Sequence, residues 1–105
     1  EGSIGAREIK VEANGWSDFV FENTYQLPSL KEVENHIQQK GHLKDIPSAK
    51  EVEENGIFLG QMDAKLLQKI EELTLYTIQQ QKEIKYLSKK LNELEQKLDK
   101  VEKSN

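Results

Sequence analysis

The sequence predicts a mainly α protein: a small α+β head docked on a long C-terminal helix that forms a parallel homo-oligomeric, trimeric coiled coil. Three observations predict it. From residue 61 to residue 103 the chain holds neither glycine nor proline, and its large aliphatic residues recur at spacings of three and four. All six glycines, both prolines and all three phenylalanines lie at or before Gly60, so composition divides the chain into a head over 1–59 and a stem over 60–105. Hydrophobic residues make up 35% of the 105 residues and charged ones 32%, a balance poor in core-forming material for so short a chain. Association between copies is then a natural way to gain burial.

Within the head, Ile9, Val11 and Ala13 alternate with Glu8, Lys10 and Glu12, the period of a half-buried strand, and Asn14-Gly15 ends it as a turn. A second short strand is expected at Asp18 to Glu22. Pro28-Ser29-Leu30-Lys31-Glu32 opens a helix, with Ser29 covering an exposed amide and Glu32 reaching back as in a capping box. Gly41 should end it. Pro47-Ser48-Ala49-Lys50-Glu51 repeats the start pattern, and Asn55-Gly56 stops that helix after about two turns. Helices this short need something to pack against.

In the stem, Ile70, Thr77, Ile84, Leu91 and Leu98 fall at heptad position a, and Leu66, Leu73, Gln80, Leu87, Leu94 and Val101 fall at d. At roughly 1.5 Å per residue such a helix is about 65 Å long. The plainer reading is one helix of a single-chain bundle, but the head offers no second helix long enough to cover the seam. Lys90 at g meets Glu95 at e of a neighbouring chain, and Lys97 meets Glu102, pairings that suit parallel, in-register chains. Ile at a with Leu at d, as in Ile70/Leu73 and Ile84/Leu87, favours dimers by packing rules. Thr77 and Gln80 form a polar layer that either sets register and oligomer state at a cost in stability or is a tolerated flaw of the seam; on the first reading it points, with an apolar arc widened by Leu67, Leu75, Tyr76 and Ile78, to three chains. That arc is the expected dock for Trp16, Phe19, Phe21 and Tyr25, with Leu27, Leu30, Val33 and Ile37 beside them; an aromatic carbohydrate-binding platform is the alternative use of the same rings.

Little in the sequence speaks for chemistry. Fifteen basic and nineteen acidic residues give a net charge of −4 with no basic stretch, a poor surface for nucleic acid or anionic membrane. No apolar run is long enough for membrane insertion. There is no cysteine, and the two histidines, His36 and His42, lack a carboxylate cluster at metal-ligand spacing, so neither a metal nor another cofactor is expected. Serines 3, 17, 29, 48, 88 and 104 show no nucleophile elbow, and Ser29 and Ser48 read as caps. Glu53-Glu54 and Glu71-Glu72 read as solvated helix charges rather than acid-base pairs. No enzyme is expected.

Several strings of residues are more specific. Ala6-Arg7-Glu8-Ile9-Lys10-Val11, Gly15-Trp16-Ser17-Asp18-Phe19-Val20-Phe21 and Tyr25-Gln26-Leu27-Pro28-Ser29-Leu30-Lys31-Glu32-Val33-Glu34 are followed by Gly41-His42-Leu43 and Ile46-Pro47-Ser48-Ala49-Lys50-Glu51-Val52. Gly60-Gln61-Met62-Asp63-Ala64 and Lys69-Ile70-Glu71-Glu72-Leu73-Thr74-Leu75-Tyr76 complete the set, which covers nearly everything up to residue 80. Together they resemble the C-terminal region of Bacteroidetes surface adhesins and phage tail-fibre-like proteins. A more distant similarity links them to the intramolecular chaperone ends of tail spikes. Lys44 stands where that family usually has proline, which bears on the local loop.

The resemblance implies a structural C-terminal trimerisation and registration module of a fibrous protein, a tail fibre, spike or adhesin, at the virion or bacterial cell surface. Its partners would be two further copies and the upstream fibre of the same chain, with Glu1 expected to be a fragment start and Asn105 to lie near the natural end. A chaperone-like role follows from the spike similarity, but no serine-lysine cleavage motif is present and no catalytic residue carries over. The alternative is a tip that binds a host receptor or glycan.

Overall fold

The computed structural model describes residues 16–104. They form a 3₁₀ turn at Ser17–Phe21 and three helices: α1 at Leu30–Lys40, α2 at Ala49–Asn55 and α3 at Leu59–Ser104. No strand occurs among the described residues, and the expected strand at 9–13 with its turn at Asn14-Gly15 lies outside them. The protein is therefore mainly helical, with a long C-terminal helix of 46 residues. Contacts group the chain into two units, one ending at Glu71 and the other beginning at Glu72, and α3 contributes to both.

The strand expected at Asp18 to Glu22 is corrected to the 3₁₀ turn. A strand must satisfy its backbone on a neighbour, whereas this segment closes on itself, Glu22 N–H donating to the Phe19 carbonyl at 3.1 Å and Tyr25 N–H to the Glu22 carbonyl at 3.0 Å. The consequence for packing is an inversion. Alternation would set Phe19 and Phe21 on one face, but it is Val20 that is buried, at 2% exposure, while both phenylalanines stay exposed. Phe19 rests against Tyr25 with ring centroids 5.7 Å apart.

Both short helices start and stop where expected. Ser29 Oγ accepts the Glu32 N–H at 3.1 Å, and Glu32 turns its carboxylate to the Ser29 hydroxyl rather than to the backbone. At α2 the box is complete: Ser48 Oγ accepts the Glu51 N–H at 3.1 Å, and Glu51 accepts the Ser48 N–H at 3.0 Å. Gly41 ends α1 in the left-handed region at φ 77°. Gly56 ends α2 at φ 68°, ψ −168°, a conformation open essentially to glycine alone.

The loop between α1 and α2 turns at Leu43 to Ile46, where the Ile46 N–H donates to the Leu43 carbonyl at 3.2 Å and Asp45 takes φ 68°. Positive φ at the third residue is the habit of type II turns, whose second position favours proline. Lys44 occupies that second position. The turn closes without proline because aspartate tolerates the left-handed region better than most residues.

α3 begins at Leu59, with the Phe58 carbonyl accepting the Met62 N–H at 3.0 Å. Uninterrupted helix then runs through every heptad position from Leu66 to Val101.

Candidate functional site

Along α3 the a and d positions from Leu66 to Val101 form one stripe, apolar except at Thr77 and Gln80. Leu66, Ile70, Leu73, Ile84, Leu87, Leu91, Leu94, Leu98 and Val101 are each between 45% and 64% exposed, and the polar pair Thr77 and Gln80 is exposed with them. Nine large aliphatic side chains in helical register on an open face are expensive to leave in water, at about 25 cal/mol for each Å².

In the first unit the other side of α3 is already occupied. Met62, Ala64, Leu67, Gln68 and Lys69 are half-buried and Glu71 is buried, at positions g, b, e, f, g and b, whereas Leu66 and Ile70 at d and a remain open. Two polar contacts tie the loops to this covered side. Gln68 Nε2 donates to the Tyr25 hydroxyl at 3.3 Å, and Lys69 Nζ lies 3.7 Å from Asp45 Oδ2. The head thus packs on the face of α3 that the stripe does not use.

The reading of Glu71-Glu72 as solvated charges is corrected: their exposures are 7% and 6%. Position b places Glu71 on the covered arc rather than in solvent, and its interactions, like those of Glu72, are satisfied within the chain. Of the remaining residues expected to join head and stem, Tyr25 and Leu67 are half-buried in the first unit, and Trp16, Phe19 and Phe21 are exposed at 37%, 38% and 53%. Leu75 and Tyr76, in the second unit, are half-buried, and Ile78 is exposed.

No protein-family model, curated protein or solved structure matches the chain. Its geometry must carry the functional argument.

The flanks of the stripe differ along its length. Lys90 is engaged within its own chain, 3.5 Å from Glu93 Oε2 and 5.6 Å above the Tyr86 ring, so Glu95 of a neighbour would compete with these partners. Among the described residues Lys97 and Glu102 have no such engagement. The second pairing is the freer of the two.

His36 and His42 meet edge to face at 5.5 Å because the left-handed Gly41 turns His42 back over the last turn of α1. His42 Nδ1 pairs with the Leu43 carbonyl at 2.9 Å, and His36 Nε2 is buried without a hydrogen-bond partner. Among the described residues no three metal-ligating side chains come together, and no helix is long and apolar enough to cross a membrane.

The polar contacts Gln68 to Tyr25 and Lys69 to Asp45, and the burial of Glu71, were not foreseen from sequence. A helical wheel sets Gln68, Lys69 and Glu71 among polar neighbours; the expected dock is the apolar arc of Leu67, Leu75, Tyr76 and Ile78, which gives no sign of these polar contacts.

Proposed function

We propose that the chain is a structural module that assembles three parallel copies through α3 and so fixes the register of a fibrous protein to which it belongs, a tail fibre, spike or adhesin at a virion or bacterial cell surface. One observation carries the reading. The a/d stripe is open along the whole of α3, while in the first unit the head takes the opposite arc and leaves the stripe free for other chains. A helix that exposes nine aliphatic residues on one face gains most by burying them against copies of itself, where every knob meets an equivalent hole. Three chains suit the Thr77/Gln80 layer, and the freedom of Lys97 and Glu102 suits parallel alignment. The identity as a fibre end rests on the resemblance of residues 6 to 76 to the adhesin and tail-fibre family. In this reading the module has no catalytic residue, no cofactor and no nucleic-acid partner.

Light scattering on the intact chain tests it. Three chains of 12.1 kDa give about 36 kDa. A mass near 24 kDa would replace the trimer by a dimer, and a mass of one chain would end the association reading. Replacing Leu91 and Leu94 together by Ala should dissociate the assembly at micromolar concentration, since each buried Leu→Ala change costs ~2–5 kcal/mol in every chain.

A second reading has its own observation. Trp16, Phe19 and Phe21 all present ring surface to solvent, as a glycan- or receptor-binding tip would. Glycan binding that is lost on Trp16→Ala, with the assembly mass unchanged, would favour it.

A further inference from the structure

We infer that Gln80 alone, and not the Thr77/Gln80 pair, sets the register and number of the associating chains. The inference rests on the coiled-coil reading above and deepens it. Thr77 Oγ1 donates to the Leu73 carbonyl of its own helix at 2.9 Å. That bond belongs to the helix itself and survives any alignment of neighbouring chains, so the hydroxyl is satisfied whether or not Thr77 faces another Thr77. What Thr77 offers the seam is a β-branched side chain much like valine's.

Gln80 is different. Its side chain makes no hydrogen bond among the described residues. Buried at d, its amide carries two N–H donors and a carbonyl that can be matched only by groups on other chains. In register, each copy's N–H₂ reaches the carbonyl of the next, and the ring of three closes with one donor and one acceptor used per chain. A slip of one heptad sets the amide against Leu73 or Leu87, where it stays unpaired in an apolar layer, the costliest state for a polar group. A wrong alignment is thus penalised at Gln80 and not at Thr77.

The test compares Gln80→Leu with Thr77→Val in the full chain, each also carrying Asn92→Cys, an exposed position b, for a spin label. Inter-chain distances report register, because a one-heptad slip offsets the labels by about 10 Å, and light scattering reports mass. Expected are a single distance population and a single mass for the parent and for Thr77→Val. Gln80→Leu should melt at least about 5 °C higher yet show a second, longer distance population or mixed masses. Moving the amide with Gln80→Leu plus Leu87→Gln should restore one register. A Gln80→Leu variant with the parent's single register and mass overturns the inference, as does loss of register in Thr77→Val or failure of the relocated glutamine to restore it. A parent with the mass of one chain would remove the coiled-coil reading itself, and the inference with it, a result distinct from the others.

Discussion

The early turns of α3, up to Glu71, and its later turns share one heptad stripe but not one environment. In the early turns Met62, Ala64, Leu67, Gln68, Lys69 and Glu71 are wholly or partly covered; beyond Thr77, Glu93 alone among the described positions is less than exposed. The early stretch therefore has a partner within its own chain, whereas the described turns beyond Thr77 are open except at Glu93. A helix whose apolar side chains stand in water is not held by propensity alone, and the proposed association would cover those turns. In the first unit α3 is thus divided into two arcs, one covered at positions b, e, f and g and one open at a and d.

Removing α3 altogether breaks this comparison most severely. A fragment of residues 1–58 loses the surface to which Tyr25 and Asp45 are tied through Gln68 and Lys69. What remains among the described residues is an 11-residue helix, a 7-residue helix and a 3₁₀ turn, while ordering each residue costs roughly 1.5 kcal/mol. The fragment should show little helix by circular dichroism and collapsed amide dispersion by NMR. A cooperative melt from it would show a self-sufficient head and strengthen the receptor-binding reading.

A smaller effect is expected from the head's own packing. Val20 is the one fully buried aliphatic side chain among the described residues. Val20→Ala should destabilise the head by about 2 kcal/mol, the loss of two buried methyl groups. Trp16 fluorescence, which reports the head, should shift its melt to lower temperature while the assembly mass stays that of the parent. Equal loss of both signals would mean that head and stem melt as one.

The parts of this architecture that could be read from sequence are the parts decided within a few residues. Ser29 and Ser48 as caps, Gly41 and Gly56 as stops and the unbroken heptads of α3 all follow from local geometry, and each is in place. Residues 18 to 22 misled because five alternating residues fit a strand as well as a 3₁₀ turn, and the choice depends on whether a pairing strand is at hand. Glu71 and Glu72 misled for the opposite reason. Charge normally selects solvent, yet both carboxylates are buried and have interactions that heptad position alone does not reveal. The open a/d stripe and a second arc for the head were both legible; that Gln68 and Lys69 would make the polar contacts there was not.

The smallest expected effect sharpens the comparison at α2, whose start is held by a box that titrates. The Glu51 carboxyl is held below the usual carboxylate range, first by the Ser48 backbone N–H and then by the Ser48 hydroxyl, with lesser help from the charges of His42 and Lys65 against a slight opposing effect of burial. A lowered native value means that the folded state binds the proton less readily than the unfolded state. The stabilisation is therefore complete above the ordinary carboxylate range and is lost as pH falls through the lowered value. Ser48→Ala removes the oxygen that accepts the Glu51 N–H, and cap losses of this kind cost about 1 kcal/mol. It leaves the backbone N–H to which Glu51 still binds, so the acid dependence of α2 should shrink without vanishing. Glu51→Gln keeps a side chain that can accept from that N–H but removes the titration, so the dependence should disappear. Helical content measured across the acid range in the two variants separates the contributions, and equal acid sensitivity in Glu51→Gln and the parent would show that another carboxylate governs the acid limb.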